Sequence, residues 1–514
     1  MSAPNYLIDT NVFIHLEDAL AVSPEFALLQ QLAAKHGVGV FIHEAARDDI
    51  ERDKDAARRL VSLSKLHKFR LISKVRGLNP DGLEQLFGNL PKPNDVVDAT
   101  LLHALVIGVA DFLITQDQGL HDRARRHSPE LAGRVLYVAD AVSLLRSTYE
   151  PREVAIPFVQ EADAHALPLS DSIFDSLREG YPGFDEWWRT KCVKEMRKCW
   201  VVTDDSQVGG LIVRKDEAEG HTDATLHGKK ILKICTFKVR AERRGVKLGE
   251  LLLKQVLWFA QTNTYDVAYV TAYPTQETLI DLITYFGFAH TYTKPNGEHV
   301  YEKPFGRTPL EVLENQTPFD AARTGYPRFS TADSVTGYVI PIRGPFHECL
   351  FPELIDKRQP DLFGYSGFDG PKTPGNTIRK VYLCRAQAHI DQPGDILLFY
   401  KSRSDRPPSQ AITTVGIFES MTLARSAEDL RRLAGGRSVY SEEQLRTFEA
   451  SEERPVKVIN FLLIGHIVPA IGLPDLMKLG VFAAHPPQSV VRLRREQLMA
   501  VLRQVNNFGF QPLR

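Results

Sequence analysis

The sequence predicts an α/β protein of several domains, with three successive regions that differ in their pattern of strands and helices. At 514 residues, the chain is too long for one ordinary hydrophobic core, and about two to four domains are expected. Short apolar runs alternate with amphipathic segments at the start of the chain, whereas glycine- and proline-punctuated strands dominate its end. The composition, 43% hydrophobic and 25% charged, is typical of soluble globular proteins.

The cysteine content indicates the cellular compartment, whereas the net charge does not indicate the binding partner. The 63 Lys+Arg residues nearly balance the 64 Asp+Glu residues, so net charge neither favours nor excludes a nucleic-acid partner. Five scattered cysteines without a C-x-x-C pair fit a reducing cytoplasm and argue against a thiolate zinc site. Since no signal-like N-terminus and no apolar run of the ~18 residues needed for a membrane span are present, we expect a cytoplasmic protein with no membrane partner.

The first region, residues 1–150, is predicted to be a doubly wound parallel sheet with helices on both faces. Its strands are "NYLID", "GVGVFI", "FRLIS", "DFLIT" and "RVLYVAD", and "EAARDDIERDKDAARRL" is predicted to be helical. The following stretch, "EPREVAIPFVQEADAHALP", breaks this pattern, which indicates a linker or an entry strand.

The second region, residues 165–305, is predicted to be an α+β fold. After two helices, the strands "CWVVTD" and "QVGGLIVRKD" flank a turn, followed by the long strand "KILKICTFKV", the helix "GELLLKQVLWFAQ", the strand "VAYVTAYP" and another helix. The closing element is a hairpin around "KPNGEH", because Asn-Gly between extended runs favours a tight turn.

The third region, residues 330–514, follows a connection at 306–330 and is predicted to be a small β-barrel with peripheral helices. Its strands include "RKVYLCRAQAHI", "GDILLFYKS" and "ITTVGIFES". Beyond residue 430, "RPVKVINFLLIGHIV" and "VVRLRREQLMAVLRQV" are predicted to complete it as a strand and a basic amphipathic helix.

Carboxylates follow two strands of the first region. Asp9 comes directly after "YLI" and Asp117 after "FLIT", so both are expected in the crevice beyond the carboxyl ends of the strands. Asp95 and Asp98, three residues apart, share one face of a helix. Converging carboxylates repel one another unless a hard cation neutralises them, and oxygen ligands select Mg²⁺ or Mn²⁺.

Structural roles are the alternative for the acids of this region. Asp95 could cap its helix. The helix "HEAARDDIERD" also offers Asp48 and Asp49, and a solvated acidic face would be formed by Asp48, Glu51 and Asp53.

The segments "LIDTNVFI", "NDVVDATLLHA" and "FLITQDQGL", with an acidic helix between the first two, resemble a PIN domain in order and spacing over residues 4–140. The resemblance implies a metal-dependent ribonuclease that hydrolyses RNA phosphodiesters with metal-activated water. The implied metal ligands are Asp9, Asp98 and Asp117. The implied second acid is Asp49, with Asp48 as the alternative, and Thr10 and Asn11 support Asp9.

The stretch "VRAERRGVKLGELLLKQV" connects a long strand to a helix, and a helix N-terminus is an anion site. The order of elements around it resembles the GNAT acetyltransferase fold, whose R-x-x-G-x-G/A motif holds the pyrophosphate of acetyl-CoA. Lys247 replaces the inner glycine, and Ile283 stands where the family often has a catalytic tyrosine, with Tyr285 two positions on. Glu242 could be a base or a surface charge. The implied cofactor-binding residues are Val239, Arg244, Gly245, Val246, Lys247, Leu248 and Gly249.

Basic residues in the third region alternate with aromatic ones, a combination that suits phosphate contacts and base stacking. Alternatively, the aromatics fill a barrel interior and the charges are a solvated rim. The segment at 330–425 resembles the PUA-like superfamily, with its ASCH and EVE domains, which implies RNA or modified-base binding. The residues concerned are Arg379, Lys380, Arg385, Lys401, Arg403 and Arg406, with Tyr382, Phe399 and Tyr400.

The leading hypothesis is therefore an Mg²⁺- or Mn²⁺-dependent endoribonuclease that selects tRNA or mRNA with its PUA-like region and senses or uses acetyl-CoA. A second hypothesis is an N-acetyltransferase acting on a protein or an aminoacyl-tRNA, with the PIN-like segment as a binding platform. A third is a non-catalytic nucleic-acid-binding regulator. PIN and GNAT domains both occur in toxins, so a toxin or a stress or defence effector with an antitoxin partner is a further expectation by analogy.

Overall fold

The computed structural model describes residues 4–16, 24–52, 56–73, 78–149, 158–204, 207–240, 247–354, 372–374, 377–385, 389–434, 440, 442–483 and 485–512. The described strands form three sheets of five, eight and six strands. No helix in these ranges is long and apolar enough to cross a membrane. We call residues 4–149 the N-terminal region, 158–305 the central region and 306–512 the C-terminal region.

The N-terminal region is a parallel sheet of order β3-β2-β1-β4-β5. Alternate residues of its central strand pack on opposite faces, Tyr6 and Ile8 into one core and Leu7 into another, so helices cover both faces as predicted. The strands are β1 Asn5–Ile8, β2 Gly39–His43, β3 Arg70–Ile72, β4 Phe112–Ile114 and β5 Val135–Leu136. The helices are α1 Thr10–Leu16, α2 Pro24–His36, α3 Ala45–Glu51, α4 Ala56–Lys65, α5 Pro80–Phe87, α6 Pro93–Val106, α7 Gln118–His127, α8 Pro129–Ala132 and α9 Val138–Tyr149.

The segment "EAARDDIERDKDAARRL", predicted to be helical, contains α3 and α4 in its described part, and residues 53–55 lie outside the described ranges. One prediction for this region is corrected. The strand expected in "RVLYVAD" ends at Leu136, and α9 begins two residues later. The Val138 N–H donates to Oε1 of Gln116 (3.2 Å), which satisfies a free N–H at the start of the helix.

The central region is an eight-stranded sheet of order β11-β12-β10-β9-β8-β7-β6-β14. The expected entry strand is β6, and the expected hairpin joins β11 to β12, with Gly297 at a φ of +86° in its turn. The two helices predicted before β7 are short α-helical, 3₁₀ and π turns. The strands are β6 Phe158–Asp163, β7 Lys198–Asp204, β8 Gln207–Glu217, β9 Ile231–Val239, β10 Val267–Ala272, β11 Ala289–Thr293, β12 His299–Pro304 and, from the C-terminal region, β14 Lys372–Pro374. The helices are α10 Asp175–Gly180, α11 Phe184–Trp187, α12 Leu248–Thr262 and α13 Glu277–Tyr285.

The C-terminal region is a six-stranded sheet of order β15-β18-β17-β16-β13-β19. No ladder joins its edges β15 and β19 among the described strands, so the expected barrel is an open sheet there. The six strands of this sheet are β13 Gly337–Ile342, β15 Arg379–Cys384, β16 Ile396–Lys401, β17 Ala411–Ala424, β18 Val456–Gly472 and β19 Val491–Leu493. The helices are α14 Pro318–Thr324, α15 Gly344–Leu350, α16 Ala427–Ala434, α17 Glu442–Arg446, α18 Leu473–Lys478 and α19 Arg495–Leu502.

The central and C-terminal regions share one large hydrophobic cluster, and each also has smaller clusters of its own. A single cluster of buried residues extends from Val159 to Phe510 and includes much of α12. Strand β14 of the C-terminal region also pairs with β6 of the central sheet. Helix α12 therefore lies between two sheets, and its N-terminus lies near both other regions.

Candidate functional sites

The first candidate site is the carboxyl edge of the N-terminal sheet. The Asp9 N–H continues the ladder by donating to the Ile114 carbonyl (3.0 Å), and α1 begins at the next residue. One Asp9 carboxylate oxygen accepts from the Thr10 N–H and the other from the Thr115 hydroxyl, each at 2.6 Å. The Asp117 N–H donates in turn to the Thr115 hydroxyl oxygen (3.0 Å). Thr115, absent from the predicted site, thus links the first and last acids.

The four predicted acids affect one another electrostatically at this edge. Burial raises the pKa of Asp9 to about 6, with further increases from the charges of Asp117 and Asp49 that hydrogen bonds partly offset. Burial likewise raises the pKa of Asp98 to about 8, with Asp9, Asp117 and Asp49 adding to it and Arg123 opposing them. Residues far apart in sequence therefore lie close enough to repel one another. Asp49, rather than the exposed Asp48, is the helix acid that faces the cluster.

The predicted metal site is not preformed. Among the described residues, no group of three or more His, Cys, Asp or Glu side chains has the arrangement of a metal centre. Asp49 is paired with Arg52 (2.7 Å), and Oδ1 of Asp117 caps α7 by accepting from the Leu120 N–H (3.0 Å). These contacts hold carboxylate oxygens that would otherwise turn toward an ion.

The chemistry of the cluster nevertheless suits a hard cation. Four carboxylates offer the oxygen ligands that Mg²⁺ and Mn²⁺ prefer. The buried Thr10 hydroxyl has no hydrogen-bond partner among the described residues, so it could bind a water molecule of a hydrated ion. Asp95 has the structural role considered for it: its carboxylate accepts from the Lys92 N–H at the start of α6 (2.9 Å) and pairs with Arg123 (3.0 Å), as a capping residue does.

The second candidate site lies between β9 and β10. These parallel strands pair from Ile231 with Val267 to Ile234 with Val270. The ladder ends there, although β9 continues to Val239 and β10 to Ala272. Within the described part of the chain, the last four residues of β9 pair only with β8, and Cys235 lies at a register shift before them. A gap with open backbone edges thus separates the carboxyl ends of the two strands.

Helix α12 begins beside this gap. Its N-cap, Lys247, adopts a left-handed conformation (φ +59°, ψ +24°), which favours glycine over other residues. A Cβ added to Gly249 would lie 3.8 Å from a methyl of Val239, which brings the first turn of α12 against the end of β9. Leu248 is buried in the core. Arg244, Gly245 and Val246, with Glu242, lie outside the described residues.

A charge cluster at the start of α12 was not predicted. The buried Glu250 carboxylate accepts from the Arg379 N–H (2.6 Å) and pairs with its guanidinium (2.8 Å). Burial would raise the pKa of Glu250, but Arg379 and Lys247 hold it below its ordinary value. Asp140 approaches Lys247 to 3.7 Å and Arg379 to 4.0 Å. Three regions of the chain meet here, and no local pattern reveals partners so distant in sequence.

The positions predicted to hold a catalytic tyrosine do not offer one to the gap. Ile283 is fully buried in the core. The Tyr285 ring packs under the guanidinium groups of Arg323 (4.7 Å) and Arg379 (4.9 Å). Tyr285 is therefore held by cations on the side where the three regions meet.

The basic and aromatic residues predicted to contact RNA are mostly interior. Lys380 is fully buried and donates to the Leu350 carbonyl (2.6 Å), and Lys401 is buried against Glu348 (3.1 Å). Arg379 is occupied by Glu250, as described above. The aromatics Tyr382, Phe399 and Tyr400 are buried in cores, and the exposed members are Arg385, Arg403 and Arg406. The aromatics thus fill the interior, and the buried members cannot contact a nucleic acid.

No protein-family model and no curated protein matches the chain. ASCH from Zymomonas mobilis is similar in structure, with 18% identity over 33% of this chain and 96% of its own and a TM-score of 0.24. An N-acetyltransferase from Staphylococcus aureus Mu50 has 17% identity over 29% of this chain and 99% of its own, with a TM-score of 0.24. The PaiA N-acetyltransferase from Thermoplasma acidophilum, in complex with coenzyme A, has 15% identity over 26% of this chain and 86% of its own, with a TM-score of 0.21.

These similarities concern fold alone. ASCH and acetyltransferase structures each match about 30% of this chain. The PIN-like nature of the N-terminal region stays a prediction from its sequence. The chain itself is a mixed α/β protein of several sheets.

Proposed function

We propose that the central region binds acyl-CoA in the gap between β9 and β10 and transfers the acyl group to an amine of a protein or an aminoacyl-tRNA. The observation that carries this proposal is the end of the ladder at Ile234 and Val270 while both strands continue. An extended ligand with amide groups, such as the pantetheine arm of CoA, can pair with an open strand edge as an added peptide does.

The N-terminus of α12 supports the same site because it could bind the phosphates of CoA. The first N–H groups of a helix and the positive end of its dipole attract anions, and Lys247 adds an ammonium group there. The residues suited to CoA are thus Val239, Lys247 and Gly249, with the pyrophosphate at the helix start. The bound thioester would supply the acyl carbon that the amine attacks.

Charge reversal at Lys247 tests this proposal. Lys247→Glu is expected to weaken CoA binding at least about tenfold, because like charges placed together cost several kcal/mol. The matched control is Lys229→Glu, at an exposed position before the other end of β9, which should bind as the wild type does. Isothermal titration measures affinity, and release of free CoA thiol from acetyl-CoA in the presence of an amine acceptor measures transfer. Equal weakening by both variants, or no binding of millimolar CoA by any form of the protein, overturns the proposal.

A second candidate function is metal-dependent hydrolysis of RNA at the acid cluster. The observation that favours it is that the Thr115 hydroxyl links Asp9 (2.6 Å) to the Asp117 backbone (3.0 Å) at the carboxyl edge of the sheet. The charges of Asp117 and Asp49 also raise the pKa of Asp9, and a divalent ion relieves such repulsion. To bind a metal ion, the Asp49 carboxylate would have to break its ion pair with Arg52. The four acids would then hold the ion, and the ion would activate a water molecule for attack on the phosphodiester.

The adjacent acids of α3 provide the matched test for this second function. Asp49→Asn should abolish Mn²⁺-dependent RNA cleavage and weaken Mn²⁺ binding, whereas Asp48→Asn, at an exposed position, should do neither. Cleavage that survives Asp49→Asn and Asp9→Asn alike removes this candidate. RNA cleavage and calorimetric titration with Mn²⁺ are the measurements.

A further inference from the structure

Asp140, in the first turn of α9, lies against the start of α12. Its two carboxylate oxygens approach the Lys247 ammonium (3.7 Å) and the Arg379 guanidinium (4.0 Å). The three side chains are only 9%, 15% and 10% exposed for Lys247, Asp140 and Arg379. An anionic group of the N-terminal region thus sits where a helix start and two cations would attract a phosphate.

The charges at this point cancel. Lys247 and Arg379 are opposed by Asp140 and by Glu250, whose pKa lies below its ordinary value through Arg379 and Lys247. A phosphate added to this neutral set makes it negative, which is unfavourable in a buried place. If Asp140 leaves, one positive charge remains, and the phosphate finds an attractive site.

Asp140 is the acid that can leave. Glu250 belongs to α12, is fully buried and is fixed by three hydrogen bonds from Arg379. Asp140 instead belongs to a region with hydrophobic cores of its own. A cavity of about 110 Å³, lined by Asp140, Lys247 and Arg379 and by Tyr137 and Arg125, adjoins the cluster. It gives space for a phosphate group once the carboxylate turns away.

We propose that Asp140 occupies the phosphate position at the start of α12, so that this docking contact of the N-terminal region and the binding of acyl-CoA exclude each other. The inference rests on the proposed acyl-CoA site. Because coupling between two binding events is reciprocal, CoA weakens the contact by the same factor by which the contact weakens CoA binding. Acyl-CoA would then loosen the region that carries the acid cluster.

Calorimetric titration with CoA tests the exclusion with three variants. Asp140→Asn is expected to bind CoA about 5- to 150-fold more tightly than the wild type, the usual range of coupling between sites. Asp140→Glu keeps the charge and should stay close to the wild type. The matched control, Asp81→Asn, removes an exposed acid from the first turn of another helix of the same region, outside the cavity lining, and it should leave CoA affinity unchanged. Thermal unfolding of each variant checks that it is folded.

Hydrogen exchange supplies a second measurement. A purely structural role of Asp140 would not make amide exchange in α9 respond to CoA. Saturating CoA should speed amide exchange in α9 (Val138–Tyr149) of the wild type and change it little in Asp140→Asn. Equal CoA affinity of the wild type and Asp140→Asn, or unchanged exchange in α9, overturns this inference and leaves the acyl-CoA site standing. No CoA binding by either protein overturns the proposed function, and the inference with it.

Discussion

Asp98 shows at the scale of one residue how a buried acid opposes stability. Burial, followed by the charges of Asp9, Asp117 and Asp49, raises its pKa to about 8, well above the ordinary value of 3.8. The folded state therefore binds the Asp98 proton more tightly than the unfolded chain does. Its contribution to stability is fully present below the unfolded pKa and is lost as the pH rises through about 8.

Asp98→Asn is accordingly expected to stabilise the metal-free protein by about 1–2 kcal/mol at pH 8, and much less at pH 4, where the acid is protonated in the fold. Chemical denaturation at both pH values measures the difference. The control is Asp95→Asn on the same helix, which loses the pair with Arg123 and part of a helix cap. It should destabilise by about 1 kcal/mol. A destabilising Asp98→Asn at pH 8 would contradict the electrostatic reading of the cluster.

At the scale of an element, α12 holds the central and C-terminal regions together through ionic contacts. Glu250 and Lys254 lie one turn apart on the same helix face. Glu250 pairs with Arg379 (2.8 Å), and Lys254 pairs with Glu353. All four side chains are nearly fully buried, so each charge depends on its partner.

Removing the Glu250 charge should therefore be costly. Glu250→Gln is expected to lower the free energy of unfolding by about 3–5 kcal/mol, because it leaves the Arg379 guanidinium buried without its counter-charge. Glu496→Gln in the first turn of α19, at an exposed position, should change it by less than about 0.5 kcal/mol. Urea denaturation measures both. Similar small effects from the two variants would show that the pair contributes little.

Strands and turns that depend on neighbouring residues could be predicted from the sequence. Contacts between residues far apart in the chain could not. Alternating apolar runs located β1 to β4 and β7 to β10, and Asn296-Gly297 located the β11–β12 hairpin, since period and turn chemistry are local. The burial of Lys380 and Lys401 was missed because their partners, Leu350 and Glu348, are 30 or more residues away. The same limit applied to Thr115, whose hydroxyl joins Asp9 to Asp117 across the sheet.

At the scale of the whole molecule, a hydrophobic cluster crosses the boundary predicted between the second and third domains, which itself stays a prediction. One buried cluster runs from Val159 to Phe510, and β14 of the C-terminal region extends the central sheet by pairing with β6. The N-terminal region has two cores of its own. It meets the rest through polar contacts such as Gln118 with Thr284 (3.2 Å) and Asp140 with Lys247.

Truncation should therefore separate the chain into two folding units. A fragment of residues 158–514 is expected to unfold cooperatively in a single calorimetric transition, because its two regions share one core. Residues 158–305 alone should expose the α12 face that the C-terminal region covers and should aggregate or bind a hydrophobic dye. Residues 1–157 alone should fold, since their cores need no side chain from elsewhere. If the 158–305 fragment were stable and folded cooperatively, the central region would be an independent domain. The shared core would then join two domains and would not be needed for the central one to fold.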